Sequence, residues 1–179
     1  AGFLDTHPNA VTAAILSAPM LEINTGIYGA IGADILANVL KFIGLSTNYA
    51  PGQKPFNPNA KFEDNKTIAS RNRFAADQAL YNKFPQIRVG GTTVNWVKES
   101  LEYTTSLRQK DNVYQVPTII LQAGSDQLVE AHGQNQSCGY SPNNCKIIKF
   151  AGAQHEILME RDVIRDSAIQ VLRQFIESN

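Results

Sequence analysis

The sequence predicts an α/β fold: parallel strands packed by helices, with an all-helical segment inserted between the first two strands. Three observations predict it. Short apolar runs at 11–19, 113–124 and 146–150 have the texture of buried parallel strands. The stretch from 21 to 110 holds several helical patterns and no comparable run. The remaining order, strand, helix, strand, helix, is that of a parallel sheet with crossover helices.

Each element has a local reason. "AGFLDTHPN" opens as the middle of a helix. "VTAAILSAP" is short, apolar and rich in small residues, and Pro19 ends it. In "TGIYGAIGADILANVLKFIGL", Ile27, Ile31, Ile35, Val39 and Phe42 recur at near-helical steps, with Thr25 as a cap and Gly44 as a stop. "NYAPGQKPFNPN" has three prolines in twelve residues and reads as a loop. Ser70 caps a helix closed by Pro85, and Val94, Val97, Leu101 and Leu107 share a face of the next one. "VYQVPTIILQAG" restores the strand texture, "QLVEAHGQNQSC" reads as a helix, and "KIIKF" as a strand. Ile164, Ala168, Val171, Leu172 and Phe175 then mark one face of a final amphipathic helix. The expected organisation is core at 1–20, helical insertion at 21–110 and core again at 111–179.

Composition narrows the function classes. The chain has 179 residues, 43% apolar, with 16 basic and 16 acidic side chains and a formal net charge of zero. That is enough to bury a core. No run of Lys or Arg forms a nucleic-acid footprint, so no nucleic-acid partner is expected. No apolar run approaches the roughly 20 residues that span a membrane as a helix. Contact with a membrane surface is left open. Cys138 and Cys145 flank a turn-rich "GYSPNN" and read either as a disulfide or as two reduced thiols. A disulfide implies an oxidising compartment; otherwise a cytoplasmic or membrane-associated location is expected.

In parallel sheets, functional groups gather beyond the C-terminal ends of the strands. Asp126 in "AGSDQLV" and His155 in "AGAQHEILMERD" both stand there, on neighbouring strand exits. A carboxylate in reach of an imidazole holds its tautomer and stabilises its charged form. Simpler readings compete. Asp126 suits the N-cap of the following helix, and a lone loop histidine often serves no site. A zinc-protease reading of "HEILM" fails because position 159 is Met, so no metal is expected. His132-Gly133 reads as surface, and no cofactor is implied.

Four stretches then resemble the lysophospholipase L2 and monoacylglycerol lipase branch of the α/β-hydrolases. They are "AAILSAPML", "NKTIASRNRFAADQALYNKFPQIRVGGTTVNWVKESL", "VPTIILQAGSDQLV" and "AGAQHEILMERDVIR". The second matches that branch's cap, with Thr67, Ser70, Arg73, Gly90, Gly91, Thr93 and Trp96 at matching places. The resemblance implies a triad acid at Asp126 and a general base at His155. It implies a serine hydrolase of lysophospholipids or monoacylglycerols, with possible membrane-surface contact through the cap. Ile27, Tyr28, Ile31, Ile35 and Trp96 are candidates to line an acyl-chain groove, or simply to pack the cap. Arg71, Arg73 and Arg88 are candidates for a phospholipid headgroup. Glu156 and Glu160 either brace the histidine loop or serve the dipole of the last helix.

One part of the pattern is absent. The nucleophile elbow, G-x-S-x-G on a strand-to-helix turn, does not occur. The nearest string, "GLSTN", lacks the final Gly and follows a helix, so Ser46 is not the expected nucleophile. In this resemblance the chain is the C-terminal half of a hydrolase. The serine and oxyanion loop are expected upstream of Ala1, and the chain alone is expected to be inactive. The missing half would then be a partner. The alternative is a non-catalytic binding or structural module that associates through an exposed strand edge.

Overall fold

The computed structural model describes residues 1–179 and contains three parallel strands in the order β1-β2-β3. These are β1 (Ala14–Ser17), β2 (Thr118–Ala123) and β3 (Cys145–Phe150). Ile120 of β2 stands opposite Leu16 of β1 and Ile147 of β3. All six residues of β2 are buried, as a central parallel strand covered on both faces requires.

Side-chain alternation along β2 divides the core in two. On one face Ile120 packs with Leu4, Leu21, Leu107, Val113, Tyr114 and the Cys138–Cys145 pair. Leu4 comes from helix α1 (Gly2–Thr6), Leu107 from the end of α4 (Val94–Arg108) and Cys138 from α5 (Ala131–Gly139), while Leu21, Val113 and Tyr114 come from connecting segments. On the other face Ile119 and Leu121 meet Ala168, with Ile164, Val171, Leu172 and Phe175 against them. Those come from α6 (Asp162–Glu177), whose apolar face is the predicted one. Cys138 and Cys145 are joined as a disulfide that ties the end of α5 to the start of β3.

Between β1 and β2 the chain is helical, as expected: α2 (Gly29–Phe42), α3 (Arg71–Lys83) and α4. Gly44, at φ 84°, follows α2 as its stop. Thr93 caps α4, accepting the Trp96 N–H at 3.2 Å. Two capping expectations differ. Thr25 precedes a single 3₁₀ turn, Gly26–Tyr28, that leads into α2, and its side chain caps nothing. Ser70 holds the N-cap position of α3 without a side-chain bond.

A third difference lies after β2. The helix expected from Gln127 starts only at Ala131. The intervening residues are diverted: Val129 is buried and bridges Ile23 in antiparallel fashion. Asn24 N–H donates to the Leu128 carbonyl, and Glu130 N–H to that of Glu22. These bonds seat the base of the helical insertion on the loop that follows β2. Gly133 belongs to the same contact and is buried, which corrects its reading as surface. A Cβ there would lie 2.4 Å from that of Glu22 and 2.9 Å from the Glu22 nitrogen. His132 is exposed, with Nδ1 at 2.7 Å from Glu22 Oε2.

Candidate active site

The two strand exits stay together past the sheet. Gly124 N–H donates to the Phe150 carbonyl at 2.9 Å, and Ser125 N–H to that of Ala153 at 2.8 Å. Glycine suits position 124, because a Cβ would stand 2.8 Å from the Phe150 oxygen. The next residue on one exit is Asp126, and His155 follows two residues after Ala153 on the other. His155 Nδ1 lies 2.9 Å from Asp126 Oδ2. The side chain of Asp126 is 6% exposed and that of His155 27%.

Asp126 satisfies both readings of its sequence context. Oδ1 accepts the N–H groups of Leu128 and Val129, at 2.9 and 3.2 Å, so the carboxylate caps the turn after β2. Oδ2 remains for the imidazole. Anchored by two backbone donors, the carboxylate cannot swing away from its partner. It accepts a hydrogen bond from Nδ1–H, which leaves Nε2 as the basic nitrogen of the neutral ring.

His155 stands in the wall of a cavity of about 620 Å³, within the range of small-molecule sites. Leu36, Ala37 and Leu40 of α2 face Val94 and Val97 of α4 across it, and Leu128 closes the side near the histidine. Thirteen of its twenty lining residues are apolar, and none is Asp, Glu, Lys or Arg. Of the candidates for an acyl-chain groove, Tyr28 and Trp96 stand in its wall. Ile27, Ile31 and Ile35 do not; they are 96%, 79% and 58% exposed. The reason is rotational. Residues 33, 36, 37 and 40 fall on one side of α2, and 27, 31 and 35 continue the opposite side. The helix has two apolar faces, and only one meets the cavity.

The three arginines do not reach the cavity either. Arg71 pairs with Glu63 at 2.9 Å and lies over the Phe62 ring. Arg73 donates to the Glu160 carbonyl and the Asp162 carboxylate. Arg88 donates to the Tyr81 carbonyl and Asn82 and covers the Phe56 ring. Their expected role at a headgroup is not supported by these positions. Ser46 is likewise absent from the wall; its carbonyl accepts the Asn95 N–H.

Carboxylates near the imidazole respond to their surroundings. Burial pushes Glu156 above the usual range, Asp77 adds to the rise, and His155 opposes it. Burial also raises Asp77. The Arg73 guanidinium holds Asp162 below the usual range. From the sequence, Glu160 has two candidate roles, bracing the histidine loop or serving the dipole of α6. It is wholly buried and accepts backbone N–H groups from Ala69, Gln154 and Arg161.

A family model described as serine aminopeptidase, S33 (Hydrolase_4) matches residues 1–162. The chain belongs to the Hydrolase_4 family. Among curated relatives of this Hydrolase_4 chain, lysophospholipase L2 of Escherichia coli K12 is 28% identical, over 97% of this chain and 52% of that protein. Probable lysophospholipase L2 of Haemophilus influenzae is 24% identical, over 97% and 54%. The chain spans about half the length of the curated relatives it matches. Among solved structures, monoglyceride lipase of Saccharomyces cerevisiae superposes with a TM-score of 0.69 at 14% identity, over 99% of this chain and 57% of that one. A carboxyl esterase of Bacillus coagulans gives 0.67 at 15% identity, over 99% and 60%. These likenesses establish the fold of this Hydrolase_4 member as a partial α/β-hydrolase, with a three-stranded parallel sheet and packing helices. No helix is long and apolar enough to cross a membrane.

Proposed function

We propose that this chain is the acid–base and cap portion of a serine carboxylic-ester hydrolase acting on lysophospholipids or monoacylglycerols. The observation that carries the reading is the His155–Asp126 contact in the wall of an apolar cavity. In this reading residues 1–20 and 111–179 are core, and 21–110 are the cap. Nε2 of His155 takes the proton of a serine hydroxyl as its oxygen attacks the ester carbonyl, then gives that proton to the leaving alcohol. Water repeats the sequence on the acyl-enzyme. Asp126 orients the ring and stabilises the imidazolium. The serine and the oxyanion donors come from residues upstream of Ala1, which add strands to the free edge of β1. The chain alone is then inactive.

The cavity supports a lipid more than a peptide. Most of the residues in its wall are apolar, which suits acyl-chain contact. The curated lysophospholipase L2 relatives support the same substrate class. The outer stripe of α2 supports docking on a lipid surface: Ile27, Ile31, Ile35, Val39 and Phe42 are exposed and carry no charge. Tyr28 belongs to the cavity wall and is itself 51% exposed beside that stripe, so it joins the two.

In the complete protein, His155→Ala and Asp126→Asn are each expected to lower kcat on a short acyl ester by about 10⁴-fold, the latter by favouring the wrong tautomer. Near-normal turnover in either variant overturns the assignment.

A further inference from the structure

We propose that Glu160 is a positioning residue that fastens the helical insertion to the histidine loop, so that the cavity wall and the His155 imidazole move as one body. The proposal rests on the ester-hydrolase reading. Glu160 is wholly buried, five residues past His155. A buried carboxylate persists only where donors replace the water it has lost. Three backbone N–H groups do so. Oε1 accepts from Gln154 at 2.9 Å, immediately before the histidine. The same oxygen accepts from Ala69 at 3.0 Å, a residue of the insertion 91 positions earlier. Oε2 accepts from Arg161 at 3.1 Å, where α6 begins.

The other contacts between these segments have the same sense. Glu156 N–H, immediately after the histidine, donates to the Thr67 carbonyl at 2.9 Å. Arg73 reaches from α3 to the Glu160 carbonyl and the Asp162 carboxylate. Both neighbours of His155 are thus tied to residues 67–69, one directly and one through the Glu160 carboxylate. A carboxylate present only for the dipole of α6 needs the Arg161 bond alone, and is well placed in solvent. Neither the Ala69 bond nor the complete burial follows from that role. The bonded segment 67–73 belongs to the insertion, residues 21–110, which supplies most of the cavity wall. A shift of the insertion therefore pulls on the residues that flank the base.

The test uses the complete protein and the variants Glu160→Ala, Glu160→Gln and Arg73→Ala. Three readouts are followed: kcat against KM on a short acyl ester, the pH profile of kcat/KM, and the downfield proton resonance of the His155 Nδ1–H bonded to Asp126. Glu160→Ala is expected to lower kcat by about 10²-fold, the cost of a misplaced catalytic group, with a much smaller change in KM. The acidic limb should move to lower pH, because an imidazolium that loses its carboxylate partner is less stable. The downfield resonance should broaden or vanish. Glu160→Gln keeps one oxygen for Ala69 and Gln154 and should recover most of kcat. Arg73→Ala should move all three readouts the same way by a smaller factor, and it carries the test if Glu160→Ala does not fold. Unchanged kcat, limb and resonance in these variants, even with a lowered Tm, overturn the proposal, because Glu160 is then a stability residue only. If the wild-type protein hydrolyses no ester, the resonance alone decides. Its loss in the variants upholds the coupling while the ester reading falls, and its persistence overturns the coupling too.

Discussion

Asp126 divides its two oxygens between structure and chemistry, and that division explains why a single carboxylate supports two sequence readings. Oδ1 holds the turn at Leu128 and Val129, and Oδ2 meets His155. Removing the carboxylate therefore disturbs the loop as well as the ring, whereas Asp126→Asn retains an acceptor for the turn. Glu156, the next residue after the base, has a pH consequence of its own. Burial first, then Asp77, raises its carboxyl above the ordinary 4.5, with His155 opposing. A raised carboxyl contributes stability that is complete below the ordinary value and is lost as pH rises through the folded one. Asp162 has the opposite sign: Arg73 lowers it, so its contribution holds above the ordinary value and goes as pH falls through the folded one. Glu156→Gln is expected to flatten the decline of Tm above pH 4.5, measured by thermal melts across a pH series. An unchanged slope would show that Glu156 titrates alike in the folded and unfolded chain.

At the level of single elements, α2 shows what periodicity can and cannot say. Ile27, Ile31, Ile35, Val39 and Phe42 mark a helix correctly, yet they face outward. Leu36, Ala37 and Leu40 face the cavity. A helix apolar on two sides gives no internal sign of which side a neighbour will cover. The uncovered side is flanked by Asp34 and Lys41, which are paired with Lys98 and Glu99, so no free charge repels an acyl surface. Ile31→Glu with Phe42→Glu is expected to reduce pelleting with phosphatidylcholine vesicles by at least about tenfold, since burying charge in lipid costs a few kcal/mol. Turnover of a short, water-soluble ester should be kept. Equal pelleting of variant and wild type would exclude this face as the docking surface. The loop after β2 teaches a related lesson. Gln127 to Glu130 suit a helix by composition, but the Asp126 turn and the bonds to residues 22–24 keep them out of one.

Across the whole molecule, two of the junctions between the insertion and the core bear on the site. One is the histidine-loop contact through Glu160. The other lies where the insertion leaves β1, at Leu21 and Glu22 against Gly133. The Arg108 guanidinium, at the far end of α4, donates to the Leu21 carbonyl at 3.1 Å, so entry and exit meet there. Gly133→Ala places a methyl group against the Glu22 backbone, and overpacking of this kind costs about 1–3 kcal/mol. A Tm lowered by several degrees is expected, with a raised KM because the cavity wall shifts with the junction. A variant as stable as wild type would show that the junction is slack.

The order of strands and helices, the amphipathic face of α6, the helical insertion and the placing of Asp126 and His155 on neighbouring strand exits were all legible in the residue order. Each depends on local spacing or on the rule that strand exits in a parallel sheet share one rim. The cavity wall beyond Tyr28 and Trp96, the burial of Gly133, the engagement of Arg71, Arg73 and Arg88 elsewhere, and the bonds of Glu160 were not. Every one of these is a contact between segments far apart in the chain, and spacing along a chain carries no information about which distant backbone group fills a given carboxylate or glycine. Local periodicity selects elements; only their packing selects which face is inside and which polar groups meet.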